Sequence, residues 1–167
     1  VPPGGGNSPY MSPSSFAGNP LFLDLDELAE EGLLTAEELD SARRDNHDRV
    51  DYPWLLETRI PLLRKAWARG RARYARELAE FLEAERSWLP DYALFLALRD
   101  RFDGKPLADW PDELRLRKQS ALEKARAELK EASDFHAFLQ LLFFRQWMAV
   151  KAYANGKGIS IIGDLPI

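Results

Sequence analysis

The closing stretch, residues 159–163, constrains the fold more than any other segment, with the sequence Ile-Ser-Ile-Ile-Gly. It is nearly all apolar and rich in β-branched side chains, which is typical of a strand covered on both faces in a parallel sheet. A long helical segment and a short loop that contains glycine precede it. This order of helix, loop and strand is typical of the second half of a βαβ unit. Both edges of such a strand carry backbone groups that must be paired, so the pattern predicts neighbouring strands.

The rest of the chain does not supply those neighbours. Only residues 20–25 form a second, weak strand candidate among the 167 residues. We therefore expect an α/β fold whose other strands lie before Val1 and after Ile167, with this chain as a predominantly α fragment. A fragment of that kind would neither fold stably nor be active alone.

Residues 24–157 show helical periodicity. Asp24 or Asp26 is expected to cap a first short helix that runs to Gly32. Thr35 and Glu38 have the spacing of a capping box, which predicts a second short helix that ends near Asn46.

Later helices have recognisable starts and stops. Residues 49–53 are predicted to interrupt the helices, and Pro61, Pro90 and Pro111 are expected in first turns. The Asp103-Gly104 pair predicts a turn, and Ser133 is expected to cap a last long helix that ends at Asn155, Gly156 and Gly158. That helix has a wide apolar face, formed by Phe135, Phe138, Leu139, Leu142, Phe143, Trp147 and Val150.

Composition excludes several functions. The 23 basic and 27 acidic residues give a net charge of −4, which does not favour nucleic acid or an anionic membrane as partner. The chain has no cysteine, and its two histidines, His47 and His136, stand far apart without a third ligand, so no metal site is expected. Without a membrane-spanning run or a secretory signal, the sequence predicts a cytoplasmic protein.

Two places could bind a ligand. The loop Asn7-Ser8-Pro9-Tyr10 combines an amide, a hydroxyl and a phenol ring, which suits a sugar because a pyranose has an apolar face ringed by hydroxyls. The alternative is that Tyr10 anchors the loop to the core. Asp164 follows the predicted strand at the edge where barrels and open sheets bind ligands, or it simply caps the next turn.

Five segments together resemble one family, the amylomaltases, which are 4-α-glucanotransferases (disproportionating enzymes) of the α-amylase clan. They are N-S-P-Y at 7–10, S-S-F-A-G-N-P at 14–20, W-L-P-D-Y-A-L-F at 88–95, F-F-R-Q-W at 143–147 and K-G-I-S-I-I-G-D-L-P-I at 157–167. The resemblance covers essentially the whole chain. It implies a (β/α)8 TIM barrel with a large, mostly helical inserted subdomain.

The resemblance also assigns parts of that barrel. Residues 1–23 would form a barrel loop with donor-site residues, residues 24–132 the helical insert, and residues 133–167 a barrel helix and the following strand. The implied activity is transfer of α-1,4-glucan segments between maltodextrins by a retaining double displacement, in which one carboxylate is the nucleophile and another the acid and base. Both carboxylates would lie beyond Ile167, so no catalytic residue is expected here. No cofactor or metal is implied.

The implied binding residues are few. Tyr10 matches the tyrosine that stacks on the donor sugar, Asp164 the aspartate that binds its hydroxyls, and Ser8 is a weaker contact. Tyr52 aligns with one aromatic of a secondary glucan site, but Gly5 stands where the other would be, and glycine cannot stack. The expected partners are maltodextrin donor and acceptor and the remainder of the barrel.

Two other functions stay open at this stage. The chain could be a non-catalytic helical module that binds glucan or a protein. It could also belong to a hydrolytic relative, in which water rather than sugar is the acceptor.

Overall fold

The computed structural model describes residues 1–2, 8–44 and 50–163 of the chain. Over these residues the regular structure is helical, which confirms the prediction of a predominantly α chain. The α-helices are α1 (Leu25–Glu30), α2 (Ala36–Ser41), α3 (Tyr52–Gly70), α4 (Ala75–Ala84), α5 (Leu89–Arg101), α6 (Asp112–Arg115), α7 (Gln119–Glu128) and α8 (Lys130–Gly156). Short 3-10 helices are formed by Pro9–Met11, Pro20–Phe22 and Leu107–Asp109.

The chain divides into two compact units. Unit 1 contains Val1–Glu77 and Leu139–Ile167, and unit 2 contains Leu78–Phe138. The sequence predicted a different division, into two barrel parts (residues 1–23 and 133–167) and a helical insert (residues 24–132). That division stays a prediction.

The predicted buried strand is absent. Residues 159–163 are irregular and exposed, with Ile162 exposed over 93% of its surface. Residues 20–25, the weak candidate, form a 3-10 helix and the start of α1. The part of the chain that the structure describes therefore offers no strand for residues 159–163 to pair with, and a single strand would leave both backbone edges unpaired.

Local signals set the first two helices. The Asp24 carboxylate accepts hydrogen bonds from the backbone N–H groups of Asp26 (2.9 Å) and Glu27 (3.4 Å), so Asp24, of the two candidates, is the cap of α1. The predicted capping box is confirmed, because Glu38 N–H donates to the Thr35 hydroxyl and Thr35 N–H donates to the Glu38 carboxylate. However, α2 ends at Ser41 and not near Asn46, which lies outside the described residues.

The predicted start of a helix at Pro61 is wrong. Helix α3 begins at Tyr52, with Asp51 as its cap and Pro53 in its first turn, so Pro61 lies in the helix interior. An interior proline removes a hydrogen bond and costs roughly 3 kcal/mol. The next turn buries Leu62 and Leu63, and full burial of each such side chain contributes about 1.5–3 kcal/mol, which offsets the cost.

Ser133 does not cap the last helix. Its N–H donates to the Leu129 carbonyl oxygen at 2.8 Å, the bond of a residue already inside a helix, and α8 begins at Lys130. The predicted glycine stop is confirmed. Gly158 has a φ of +75°, and the N–H of Ile159 bonds the carbonyl of Ala154 at 3.0 Å, as in a Schellman motif.

Unit 2 has a small aromatic core. Trp110 stacks on Phe95 at 5.5 Å between ring centroids and contacts Phe102 at 5.2 Å. Its indole N–H donates to the Lys105 carbonyl at 3.0 Å, so the one polar atom of the buried ring is satisfied. The predicted turn at Asp103 and Gly104 is confirmed, since both residues have positive φ.

The apolar face of α8 is buried over only part of its length. Phe135, Phe138 and Leu142 are at most 2% exposed, whereas Trp147 and Val150 are 38% and 54% exposed. The sequence pattern predicted a wide apolar face, and periodicity alone does not show how much of such a face is buried. Within the described residues, the far end of this face stays exposed.

Glu38 makes the acid sensitivity of unit 1 testable. Its carboxylate accepts hydrogen bonds from Arg69 (2.6 and 2.9 Å) and from Thr35 N–H, with Lys65 at 3.1 Å, and these groups lower the pKa of Glu38 to about 2. Because the folded pKa is below the unfolded value, this contribution to stability is present above pH 4.5 and is lost as the pH falls toward 2. Urea unfolding of the full-length gene product at a series of pH values should show a steeper decrease in the free energy of unfolding below pH 4.5 for the native protein than for Glu38→Gln. Equal dependence of the unfolding free energy on pH in the two proteins would contradict the assignment of the low pKa to Glu38.

Candidate functional site

Tyr10 lies at the centre of the 3-10 helix Pro9–Met11, and its side chain is 67% exposed. The turn is closed by backbone, with Met11 N–H donating to the Ser8 carbonyl at 3.3 Å. The ring is therefore presented at the surface and is not buried as a core anchor. Its role as a sugar-stacking residue stays a prediction.

Ser8 shapes the same turn. Its hydroxyl oxygen accepts the Tyr10 N–H at 3.3 Å, and the residue is half-buried. A serine hydroxyl that accepts one bond still has a hydrogen to donate. The weaker contact predicted for Ser8 is therefore compatible with its local bond.

Of the other predicted glucan contacts, the structure describes Tyr52. Asp164 and Gly5 lie outside the described residues, as does His47. Tyr52 is half-buried at the first position of α3, beside the cap residue Asp51. The secondary glucan contact assigned to Tyr52 stays a prediction.

His136 has a structural partner. Its ring nitrogen Nε2 is 3.0 Å from the Asp100 carboxylate. Among the residues that the structure describes, no group of three or more histidine, aspartate or glutamate side chains could hold a metal ion.

Three polar side chains fold the segment that follows Tyr10. The Ser12 hydroxyl donates to the Ser14 carbonyl at 2.8 Å, and the Ser14 hydroxyl accepts from Phe16 N–H and Ala17 N–H. Buried Asn19 accepts the Leu21 N–H at 3.0 Å and caps the 3-10 helix Pro20–Phe22. In this segment, backbone groups are therefore paired with nearby serine and asparagine side chains, where regular secondary structure would pair them with other backbone groups.

Two glutamines of α8 hold this segment, and sequence reasoning did not single them out. The Gln140 amide accepts from Gly18 N–H at 2.7 Å and donates to the Gly18 carbonyl at 3.1 Å. The Gln146 amide makes the same pair of bonds to Asp24, at 2.8 and 3.2 Å. The available signal was a glutamine within the apolar run 138–142, since a buried polar residue is more informative than a buried apolar one.

Next to Gln146, Arg145 completes a polar network inside unit 1. Its guanidinium donates to Glu31 at 2.6 Å and to the Tyr74 hydroxyl at 3.0 Å, and the Tyr74 hydroxyl donates to the Glu31 carboxylate. Burial and the Glu31 carboxylate raise the pKa of Tyr74. The network joins the end of α1, the residue before α4 and the middle of α8.

Comparison with known families places the chain in a class of carbohydrate-active enzymes. The model of glycosyl hydrolase family 77, described as 4-alpha-glucanotransferase, matches residues 2–167. The chain belongs to this family, and the resemblance to the amylomaltases is confirmed.

Individual relatives agree with the family. The chain is 45% identical over 170 residues to the 4-alpha-glucanotransferase of Thermus thermophilus, covering 99% of this chain and 33% of the relative. It is 42% identical over 163 residues to that of Clostridium butyricum, covering 97% and 34%. It therefore spans about a third of the length of these curated relatives.

A solved structure shares the fold. An amylomaltase from Streptococcus agalactiae, in complex with acarbose, matches 99% of this chain and 34% of its own, with a TM-score of 0.88 at 37% identity. Among the described residues, no helix has the length and hydropathy needed to cross a membrane.

Gly18 tests the packing of this segment. An added Cβ would lie 1.9 Å from the Phe143 ring, so Gly18→Ala should destabilise unit 1 by about 1–3 kcal/mol, the usual cost of overpacking. Urea denaturation of the full-length gene product would measure the change. Gly156→Ala is the control, because nothing lies within 4 Å of its added Cβ. Equal effects of the two variants would refute the close contact.

Proposed function

We propose that the protein is a 4-α-glucanotransferase that moves α-1,4-glucan segments between maltodextrins, and that this chain carries part of its donor site. The family match over residues 2–167 carries the proposal. The named relatives support it, since they bear that activity in their names, as does a structural neighbour whose title includes acarbose.

Tyr10 and Ser8 are the proposed donor contacts in the described residues. The Tyr10 ring is exposed over two thirds of its surface and offers a flat apolar face to a pyranose. The Ser8 hydroxyl, which accepts the Tyr10 N–H, would donate a hydrogen bond to a hydroxyl of the same sugar. Asp164 would bind hydroxyls of the same sugar, and Tyr52 would be a minor secondary contact.

The proposed reaction is a retaining double displacement. In the first step, one carboxylate attacks the anomeric carbon while a second protonates the leaving glucan, which gives a glycosyl-enzyme. In the second step, the second carboxylate deprotonates a hydroxyl of the acceptor glucan, whose oxygen attacks the anomeric carbon and breaks its bond to the first carboxylate. Both carboxylates are assigned to sequence beyond Ile167, on later strands of a (β/α)8 barrel. The chemistry needs no cofactor, and a cytoplasmic location is part of the proposal.

Exposed apolar side chains of unit 1 support a further partner, the remainder of the barrel. The large ones exposed over more than half of their surface are Tyr10, Met11, Phe16, Phe22, Val50, Met148, Val150, Tyr153, Ile159 and Ile162. Exposed apolar side chains of this size are available for burial against another part of the protein. In the proposed enzyme, residues 159–163 would become a strand between two neighbours.

Incubation with maltotriose tests the activity. The full-length gene product should release glucose and form longer glucans, measured by chromatography, whereas the 167-residue chain alone should do neither. Transfer by the chain alone would contradict the assignment of the carboxylates. Glucan binding without turnover by the full-length product would favour the non-catalytic module, and hydrolysis without longer products would favour the hydrolytic relative.

Substitution of Tyr10 tests its role. In the full-length product, Tyr10→Ala should lower kcat/KM for maltotriose by about tenfold or more, a loss of about 1.4 kcal/mol, because the stacking face is removed. Tyr10→Phe keeps the ring and should retain most of the activity. An unchanged rate for Tyr10→Ala, with stability checked by thermal unfolding, would remove Tyr10 from the donor site.

A further inference from the structure

We propose that Gln140 and Gln146 are positioning residues of the donor site, which hold the donor loop, residues 8–24, on α8 and so determine where Tyr10 stands. The proposal rests on the proposed function of Tyr10. Neither glutamine is expected to contact sugar, and both act through the backbone of the loop.

The bonds of Gln140 have the geometry of a backbone pair. The side-chain amide meets both the N–H and the carbonyl of one residue, Gly18, at 2.7 and 3.1 Å, and Gln140 is 1% exposed. An amide that satisfies donor and acceptor together fixes both the position and the orientation of that peptide, since hydrogen bonds are directional. Apolar packing of Phe143 on Gly18 does not fix the orientation of the Gly18 peptide, because the hydrophobic effect is not directional.

Gln146 repeats the arrangement at the other end of the segment. Its amide pairs with the N–H and carbonyl of Asp24, and the Asp24 carboxylate in turn caps α1. The donor loop is therefore joined to α8 immediately before its own chain becomes helical.

The two anchors are matched in spacing. Gly18 and Asp24 are six residues apart, as are Gln140 and Gln146. Six helical residues of α8 rise about 9 Å, whereas six extended residues of the loop would span roughly 20 Å. The 3-10 helix Pro20–Phe22, capped by Asn19, takes up the difference.

Between Tyr10 and the first anchor the loop is folded on itself. The hydroxyls of Ser8, Ser12 and Ser14 bond backbone groups within three positions along the chain. The Ser8 bond lies within residues 8–10 and the Ser12 and Ser14 bonds within residues 12–17, so two short turns follow each other along the chain between Tyr10 and Gly18. We expect a displacement of Gly18 to reach Tyr10 through these two turns. Release of the Gln140 amide should therefore move the tyrosine without removing it.

The experiment compares methionine variants of the full-length gene product. Gln140→Met and Gln146→Met keep the length of the side chain and remove its amide. Gln119→Met is the control for the substitution itself, because Gln119 is exposed in unit 2 and its amide bonds Glu123 on the same helix, α7. We expect kcat/KM for maltotriose to fall about tenfold for Gln140→Met, about threefold for Gln146→Met and not at all for the control.

A double-mutant cycle distinguishes positioning from general support. If Gln140 acts through Tyr10, adding Gln140→Met to Tyr10→Ala should lower kcat/KM by less than about twofold, whereas independent effects would multiply. Amide hydrogen exchange should become faster in residues 8–24 and stay unchanged in residues 89–101. Multiplicative effects, or unchanged exchange in the donor loop, would overturn the proposal.

The remaining outcomes are also decisive. Native kcat/KM in Gln140→Met alongside an impaired Tyr10→Ala would reject positioning and leave the proposed function standing. Native activity in Tyr10→Ala would reject the proposed role of Tyr10, and positioning with it. If Gln140→Met does not fold, Gln146→Met must show the same non-multiplicative behaviour, because the half-buried Gln146 supports the loop from its other end.

Discussion

A buried pair of hydrogen bonds, between the Gln140 amide and the backbone of Gly18, is the interaction on which the rest of unit 1 depends. Without it, the N–H and the carbonyl of Gly18 would be unpaired beneath the Phe143 ring, and each unsatisfied buried group costs about 1–3 kcal/mol. The bond pair also contributes to the order of a loop rich in serine and proline. Burial of Ala17, Leu21 and Leu23 holds the loop as well, and the directional bonds fix its position on the helix.

The F-F-R-Q-W segment of α8 acquires a physical meaning from the same contacts. Phe143 covers Gly18, Arg145 reaches Glu31 and Tyr74, and Gln146 pairs with Asp24. Adjacent residues of one helix thus bind three separate parts of unit 1. In this chain, the motif that carries the resemblance to a family of glucanotransferases joins α8 to the loop that bears Tyr10 and to the end of α1. It contains none of the proposed catalytic groups.

Local signals in the sequence predicted much of the helical framework. The Thr35–Glu38 box and the Gly158 stop depend on groups a few residues apart, so the sequence alone determines them, and it narrows the cap of α1 to Asp24 or Asp26. Predictions that needed distant partners failed. Pro61 is held inside a helix by burial of the residues after it, and residues 159–163 form no strand because the described residues, 1–2, 8–44 and 50–163, include no other strand.

The same distinction between local signals and distant partners applies to the candidate site. The sequence by itself determined the family, through motifs shared over residues 2–167, but it left open whether Tyr10 lies at the surface or anchors the loop to the core. In the structure, Ser8 and the adjacent backbone close the turn that exposes Tyr10. Only the tertiary structure decided what holds that turn. Gln140 and Gln146 lie 122 positions from Gly18 and Asp24, and no local pattern specifies which backbone group a glutamine meets across that separation. Such a pairing arises only when packing brings the two segments together, since the hydrogen bonds require both position and direction.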